Sequence, residues 1–271
     1  MKITRDAYEK LNTPTTVALG CFDGVHIAHA RVISEAVEEA RKNGTRALVW
    51  CFAEPPKNTF LPTPVPLITG IEEKARLIEA LGADILVCPD FTREIAGVSA
   101  REFVREILCS AAGAVHLVSG RNYSFGRGGE GNFALLSEIC AELGIRYTVV
   151  EDISVDGVGV SSTEIRHAVS EGRLECAAKF LGRSFSLSLE RDESAPDLYL
   201  TDKKHLTPPT GEYVCRYRNG IDTYELTALV TKEADRTTVA LPTAKMNLPD
   251  RFMLDFVSRA TPEGETKMND E

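Results

Sequence analysis

Between residues 15 and 152 the chain alternates short apolar runs with longer segments in which apolar residues recur every three or four positions. "TTVALGCF" (15–22) has strand length; over 29–42, Val32, Ile33, Ala36, Val37 and Ala40 fall on one helical face, and Asn43-Gly44 supplies the stop. "RALVWCF" (46–52) reads as a buried strand and "TGIEEKARLIEALG" (69–82) as a helix. Between them "EPPKNTFLPTPVP" is too rich in proline for regular structure, which predicts a long ordered loop. The alternation continues through strand 84–89, helix 99–111, strand 115–120, helix 132–144 and strand 146–152. Strands alternating with helices in this way predict parallel β-α-β units, hence an α/β sheet covered on both faces, with ligands bound beyond the carboxyl ends of the strands.

Two more helical patterns follow, 161–172 and 173–182, and then the period changes. From about 184 the signals are those of strands, including two runs of β-formers joined at Asn219-Gly220, a strong two-residue turn signal. The expectation is a first domain over 1–183, a smaller β-rich, barrel-like domain over 184–260 and a polar tail over 261–271.

With 271 residues, 43% of them hydrophobic, the chain can bury a substantial core. It has 31 Lys+Arg against 40 Asp+Glu, a formal net charge of -9, and no basic run, so a nucleic-acid partner is not expected. No stretch approaches the roughly 20 apolar residues that span a bilayer, and the first residues lack an apolar signal core, so no membrane association and a cytoplasmic location are expected. The seven cysteines are scattered without a C-x-x-C pair and read as reduced core residues. Oligomeric state is not encoded in these patterns.

Four loops converge at the carboxyl edge of such a sheet. The first, "LGCFDGVHIAH", places His26 and His29 at the entry to a helix, where unpaired N–H groups already favour an anion and imidazoles can donate to phosphate oxygens; a metal pair or simple packing are the alternatives. The second, "SGRNYSFGRGGEG" (119–131), has five glycines directly after a strand, with Asn122 able to donate and accept; many such loops are only turns. In "SSTEIR" (161–166), hydroxyls at a helix start with Arg166 one turn on suit a polyphosphate, or an ordinary cap with a surface arginine. The fourth is the proline-rich loop, where Phe52, Pro55, Pro56 and Phe60 form either a wall for a flat ring or ordinary packing.

Together these segments resemble bacterial FAD synthetases, the FMN adenylyltransferase module of bifunctional riboflavin kinase/FMN adenylyltransferases. "LGCFDGVHIAHARVI" is similar to that family's G-x-F-D-G-x-H-x-G-H signature, "VSGRNYSFGRGGEG" to its glycine-rich loop, and "GVSSTEIRHAVSEGRLECAAKFLGRSF" to its I-S-S-T-x-I-R helix and the segment after it; "FTREIAGVSAREFV" matches the stretch between. The resemblance covers about residues 14–185. It implies a Rossmann-like nucleotidyltransferase sheet that joins FMN to the adenylyl group of ATP with Mg²⁺, releasing pyrophosphate. It implies His26, His29 and Arg166 as catalytic, Gly20, Phe22, Asp23, Gly24, Ser162, Thr163 and Arg166 as binding ATP and its phosphates, and Phe52, Pro56, Phe60, Asn122 and Phe125 as binding the flavin, with Asn122 also a metal candidate. The histidine motif belongs to a wider superfamily, so another phosphorylated acceptor, such as a nicotinamide or pantetheine phosphate, and a non-catalytic flavin- or nucleotide-binding protein stand as alternatives.

Two departures matter. Ala28 stands where the motif has glycine. The kinase signature G-x-G-x-G-R-x-L-G-F-P-T-A-N is missing after Arg183, and "LPTAKMNLPD" (241–250), with Thr243, follows the "TGEYVCRY" strand instead of preceding it. The β domain therefore reads as a degenerate riboflavin-kinase-like barrel, and no riboflavin kinase activity is expected.

Overall fold

The computed structural model describes residues 1–193, 195, 197–233, 236–241 and 248–260. Thr243 and the expected tail at 261–271 lie outside the described residues. The chain falls into two compact units, Met1–Ser161 and Ser162–Glu271. The boundary expected near 183 follows the change of sequence period, whereas the contacts group the two helices after Ser161 with the strands that follow them.

The first unit is a six-stranded parallel sheet of order β1-β4-β3-β2-β5-β6. Its strands are β1 (Lys2–Thr4), β2 (Thr15–Leu19), β3 (Arg46–Trp50), β4 (Ile85–Val87), β5 (Ala114–Gly120) and β6 (Arg146–Val150). Five of these are the expected strands; β1, three residues long at the edge, is too short to show a period. Successive side chains point to opposite faces, which divides the core. Ala18, Val49 and Leu86 pack beneath Val32, Ile33, Ala36, Val37 and Ala40 of α1 (Ile27–Asn43) and Ala75 and Ile78 of α2 (Ile71–Ala80). Val17, Leu19, Leu48, Trp50 and Leu117 face the other layer. That layer holds α3 (Arg93–Ala96), α4 (Ala100–Glu102) with its wider π-type continuation Phe103–Ala111, and α5 (Phe133–Leu143). A small hairpin, β7 (Ser154–Val155) and β8 (Val158–Gly159), follows.

The proline-rich loop corrects one expectation. Pro56–Thr59 forms a 3₁₀ turn with proline at its start, where a missing N–H costs nothing because no carbonyl awaits it.

The second unit opens with α6 (Ser162–Ser170) and α7 (Leu174–Leu181). A closed barrel follows, of order β10-β13-β12-β11-β14-β9, built from β9 (Phe185–Arg191), β10 (Leu198–Leu200), β11 (Gly211–Asn219), β12 (Asp222–Lys232), β13 (Thr237–Ala240) and β14 (Arg251–Arg259). The β11–β12 hairpin is present, but its turn sits one residue later than expected. Asn219 pairs with Asp222, so the loop is Gly220-Ile221, with a positive φ of 61° at Gly220 alone. That is the type II′ pattern, which needs glycine only at its first position and leaves Ile221 in ordinary conformation at the exposed tip.

All seven cysteines are free. No helix among the described residues is long and apolar enough to cross a membrane.

Candidate active site

In the first unit the strand order reverses at β2: the chain runs outward from β2 through β3 to β4, then returns to β5 on the other side of β2. Ligands of such sheets lie in the crevice at this reversal, beyond the carboxyl ends. The loops flanking it follow β2 and β5, and these are the histidine loop and the glycine-rich loop.

After Leu19 the backbone turns sharply. Phe22 (φ 52°), Gly24 (φ 86°) and Val25 (φ 38°) all have positive φ, which for Phe22 and Val25 stores strain of about 1–3 kcal/mol each. The strain persists because the turn is clamped. The buried Asp23 carboxylate accepts N–H bonds from Ile68 (3.0 Å) and Thr69 (3.2 Å), and Gly24 N donates to Thr69 Oγ1 (3.0 Å). Phe22 is buried, and a Cβ at Gly20 would lie 2.6 Å from its ring, so glycine is required there.

The turn delivers His26 to the N-cap of α1, where its Nδ1 accepts the His29 N–H at 3.2 Å. An accepting Nδ1 puts the proton of the neutral ring on Nε2. The His26 and His29 rings stack 3.5 Å apart at 15°, and Phe22 meets His29 edge-on at 5.2 Å. Burial pushes the His29 pKa well below its ordinary value, with the neighbouring His26 and Lys74 adding to the shift. Nδ1 of His29 is buried without a hydrogen-bond partner. The result is a stacked pair, with His29 neutral, at the positive end of a 17-residue helix. Ala28 occupies the second helical residue between them, half-buried, in a conformation alanine adopts without strain.

Across the crevice, Asn122 Nδ2 donates to both oxygens of Asp152 (3.2 and 3.1 Å), and Arg121 pairs with Glu151 at 2.8 Å, which ties the glycine-rich loop to the chain after β6. Phe125 and Gly131 exchange backbone bonds. Gly126 has φ 74°, and a Cβ there would come within 2.7 Å of the Ala100 backbone. Tyr123 stacks on Phe125 at 5.6 Å, and burial pushes its hydroxyl pKa up.

The aromatic candidates form one series. Phe60, 60% exposed at the loop, meets Phe91 (5.9 Å); Phe91 meets Phe52 (4.7 Å); Phe52 meets Trp50 (4.8 Å); Trp50 meets Phe103 (5.0 Å); and Phe103 meets Phe125 (5.9 Å). Residues far apart in sequence thus form a continuous series of ring contacts that runs from the proline-rich loop, through the buried Trp50 and Phe103, to the glycine-rich one. Pro56 starts the 3₁₀ turn within it.

Ser162, Thr163 and Arg166 lie in the first turns of α6, in the second unit. Arg166 Nη1 donates to Ser162 O at 3.2 Å, and Thr163 is exposed. Among the described residues no three His, Cys, Asp or Glu side chains gather to hold a metal ion. The oxygens of Asn122 and Asp152 are hard donors of the class magnesium takes, which suits an ion most of whose ligands come from a phosphate chain.

Sequence reasoning passed over Lys74, Phe91, Tyr123 and Asp152. Lys74 reads as one polar residue among several in "IEEKAR", and nothing in its spacing marks it as buried. Phe91 and Asp152 gain their meaning only from neighbours folded against them.

Residues 8–164 match the FAD synthetase family. A bifunctional riboflavin kinase/FMN adenylyltransferase of Escherichia coli K12 is 29% identical over 225 residues, covering 79% of this chain and 72% of that protein. Its namesake from Listeria monocytogenes is 30% identical over 233 residues, covering 82% and 73%. These spans reach past the first unit into the second. A crystal structure from Streptococcus pneumoniae, described as a macrolide-efflux protein, has the same fold, with a TM-score of 0.82 at 22% identity over 98% of this chain and 92% of that one. The match across more than half the chain, together with relatives covered over more than two thirds of their length, agrees with the motifs: the chain belongs to the FAD synthetase family, whose members are nucleotidyltransferases.

Proposed function

We propose that this protein is an FMN adenylyltransferase, transferring AMP from ATP to FMN to give FAD and pyrophosphate, without riboflavin kinase activity. The observation that carries the reading is the stacked imidazole pair at the N-terminus of α1, held at the sheet's reversal point in a chain of this family. A phosphate oxygen of FMN attacks the α-phosphorus in line, the bond from that phosphorus to the bridging oxygen of the β-phosphate breaks, and pyrophosphate leaves. The FMN phosphate is already largely deprotonated at neutral pH, so no strong general base is required. Positioning and charge neutralisation carry the step.

His26, with its proton on Nε2, and the neutral His29 donate to phosphate oxygens as charge builds, aided by the free N–H groups of α1. The first turns of the α6 motif, Ser162, Thr163 and Arg166, take the β- and γ-phosphates and the leaving pyrophosphate. Phe52, Pro56, Phe60 and Phe125 form the apolar wall for the isoalloxazine. Mg²⁺ offsets the charge of the triphosphate when bound, and Asn122 and Asp152 are the residues that would hold it.

The missing glycine-rich kinase signature after Arg183 supports the absence of the second activity. The test is incubation of the purified protein with ATP and Mg²⁺, with FMN or riboflavin as acceptor, and chromatographic separation of the flavins. FAD and pyrophosphate are expected from FMN, with riboflavin left unchanged. Binding of both substrates without pyrophosphate release, or adenylylation of a different phosphorylated acceptor only, refutes the reading. Accumulation of FMN from riboflavin, lost in Thr243→Ala, refutes its second half.

A further inference from the structure

A lysine buried in a protein interior calls for a physical reason, because its ammonium loses water that it must replace. Lys74, in the first turn of α2, is 1% exposed. Its Nζ donates to the carbonyls of Phe52 (3.2 Å) and Ala53 (3.1 Å), the two residues that carry β3 into the proline-rich loop. Among the described residues no carboxylate forms an ion pair with it. Burial works against the charge, yet the Cys51, Cys21 and Cys88 sulfurs and the Asp23 carboxylate more than offset that effect and hold the pKa above its ordinary value.

The same short segment is fixed at its other end. Ile68 and Thr69 donate to the Asp23 carboxylate, and Thr69 Oγ1 receives the Gly24 N–H. Within seven residues the chain therefore grips the histidine turn at one end and the Phe52–Ala53 turn at the other.

We propose that Lys74 is a positioning residue of this site: through Ile68–Lys74 it locks the turn carrying the aromatic wall to the turn carrying the histidines. The flavin side of this statement rests on the FMN adenylyltransferase reading; the lock does not. Alignment of two bound substrates for in-line attack needs the two turns in fixed relation, because small displacements of reacting groups are costly.

Two variants test the lock: Lys74→Gln keeps N–H donors, and Lys74→Met removes them. Hydrogen exchange at the Ala53 amide, which donates to Pro89 O at 3.0 Å, is expected to quicken about tenfold or more in Lys74→Met and little in Lys74→Gln. In FAD formation, Lys74→Met is expected to raise the KM for FMN about tenfold with a smaller change in the KM for ATP. Equal Ala53 exchange in all three proteins refutes the lock. Wild-type protein that makes no FAD overturns the proposed function, while the exchange still decides the role of Lys74; if Lys74→Met does not fold, the same exchange in Lys74→Ala decides it.

Discussion

The parallel sheet carries a histidine at each end, and the two have different surroundings. At the amino end His116 Nε2 meets Thr148 Oγ1 at 2.9 Å, and its Nδ1 lies 3.8 Å from Glu39, which Arg146 also approaches at 3.5 Å. At the carboxyl end His29 has another imidazole against its face, and its Nδ1, like that of His116, is buried without a hydrogen-bond partner. Burial is the first cause of a lowered pKa at both. One ring lies beside a hydroxyl and a carboxylate of its own fold; the other lies against a second imidazole at a helix N-terminus. The difference teaches that burial and an unpartnered ring nitrogen do not by themselves mark a functional histidine, whereas a second imidazole at an anion-favouring helix start points to one.

The sharpest way to break this comparison is His29→Ala. FAD formation is expected to fall by two or more orders of magnitude, about 3–4 kcal/mol of transition-state stabilisation, with the melting temperature little changed. An unchanged rate would place His29 beside His116 as a structural residue. At the other end His116→Ala is expected to cost about 1–3 kcal/mol of stability in urea unfolding, because Thr148 loses its partner inside the fold, while kcat per folded molecule stays the same. A large loss of kcat there would erase the distinction.

Acid probes both rings at once. Their folded pKa values lie below the ordinary value of about 6.5, so as pH falls the unfolded chain binds protons first. The stabilisation is complete above about pH 6.5 and is lost as pH drops through the folded values. Urea midpoints at pH 7.5 and 5 should show the decline, and His116→Gln should make it shallower. A midpoint that rises on acidification would contradict the sign. The smallest effect is expected at Ala28→Gly: activity equal to or a few-fold above wild type from closer backbone approach to the nucleotide, with a stability cost of about 0.5–1 kcal/mol for glycine in a helix. A marked rise in the KM for ATP would show a loop rebuilt around alanine.

Much of this was legible beforehand because it depends on local pattern. Val32, Ile33, Ala36, Val37 and Ala40 show a helical stripe whatever they pack against, and His26 and His29 are conspicuous because they adjoin in sequence. The hairpin at 219–222 was legible as a turn but not in register, because Asn219 can pair or turn and the paired strands decide. Lys74 was not legible at all. Its importance lies in two carbonyls contributed by residues 52 and 53, and only the folded sheet brings them to it.

Trp50 is the chain's single tryptophan, and it lies fully buried at the end of β3, edge-on to Phe52. Indole emission overlaps flavin absorption, so in the proposed pocket, against Phe52, FMN would be a strong acceptor for the excitation of that one ring. Ultraviolet emission from the unlabelled protein should dim in proportion to site occupancy and recover when the flavin is washed away. With no second tryptophan to contribute background, the titration curve reports the surroundings of that one ring.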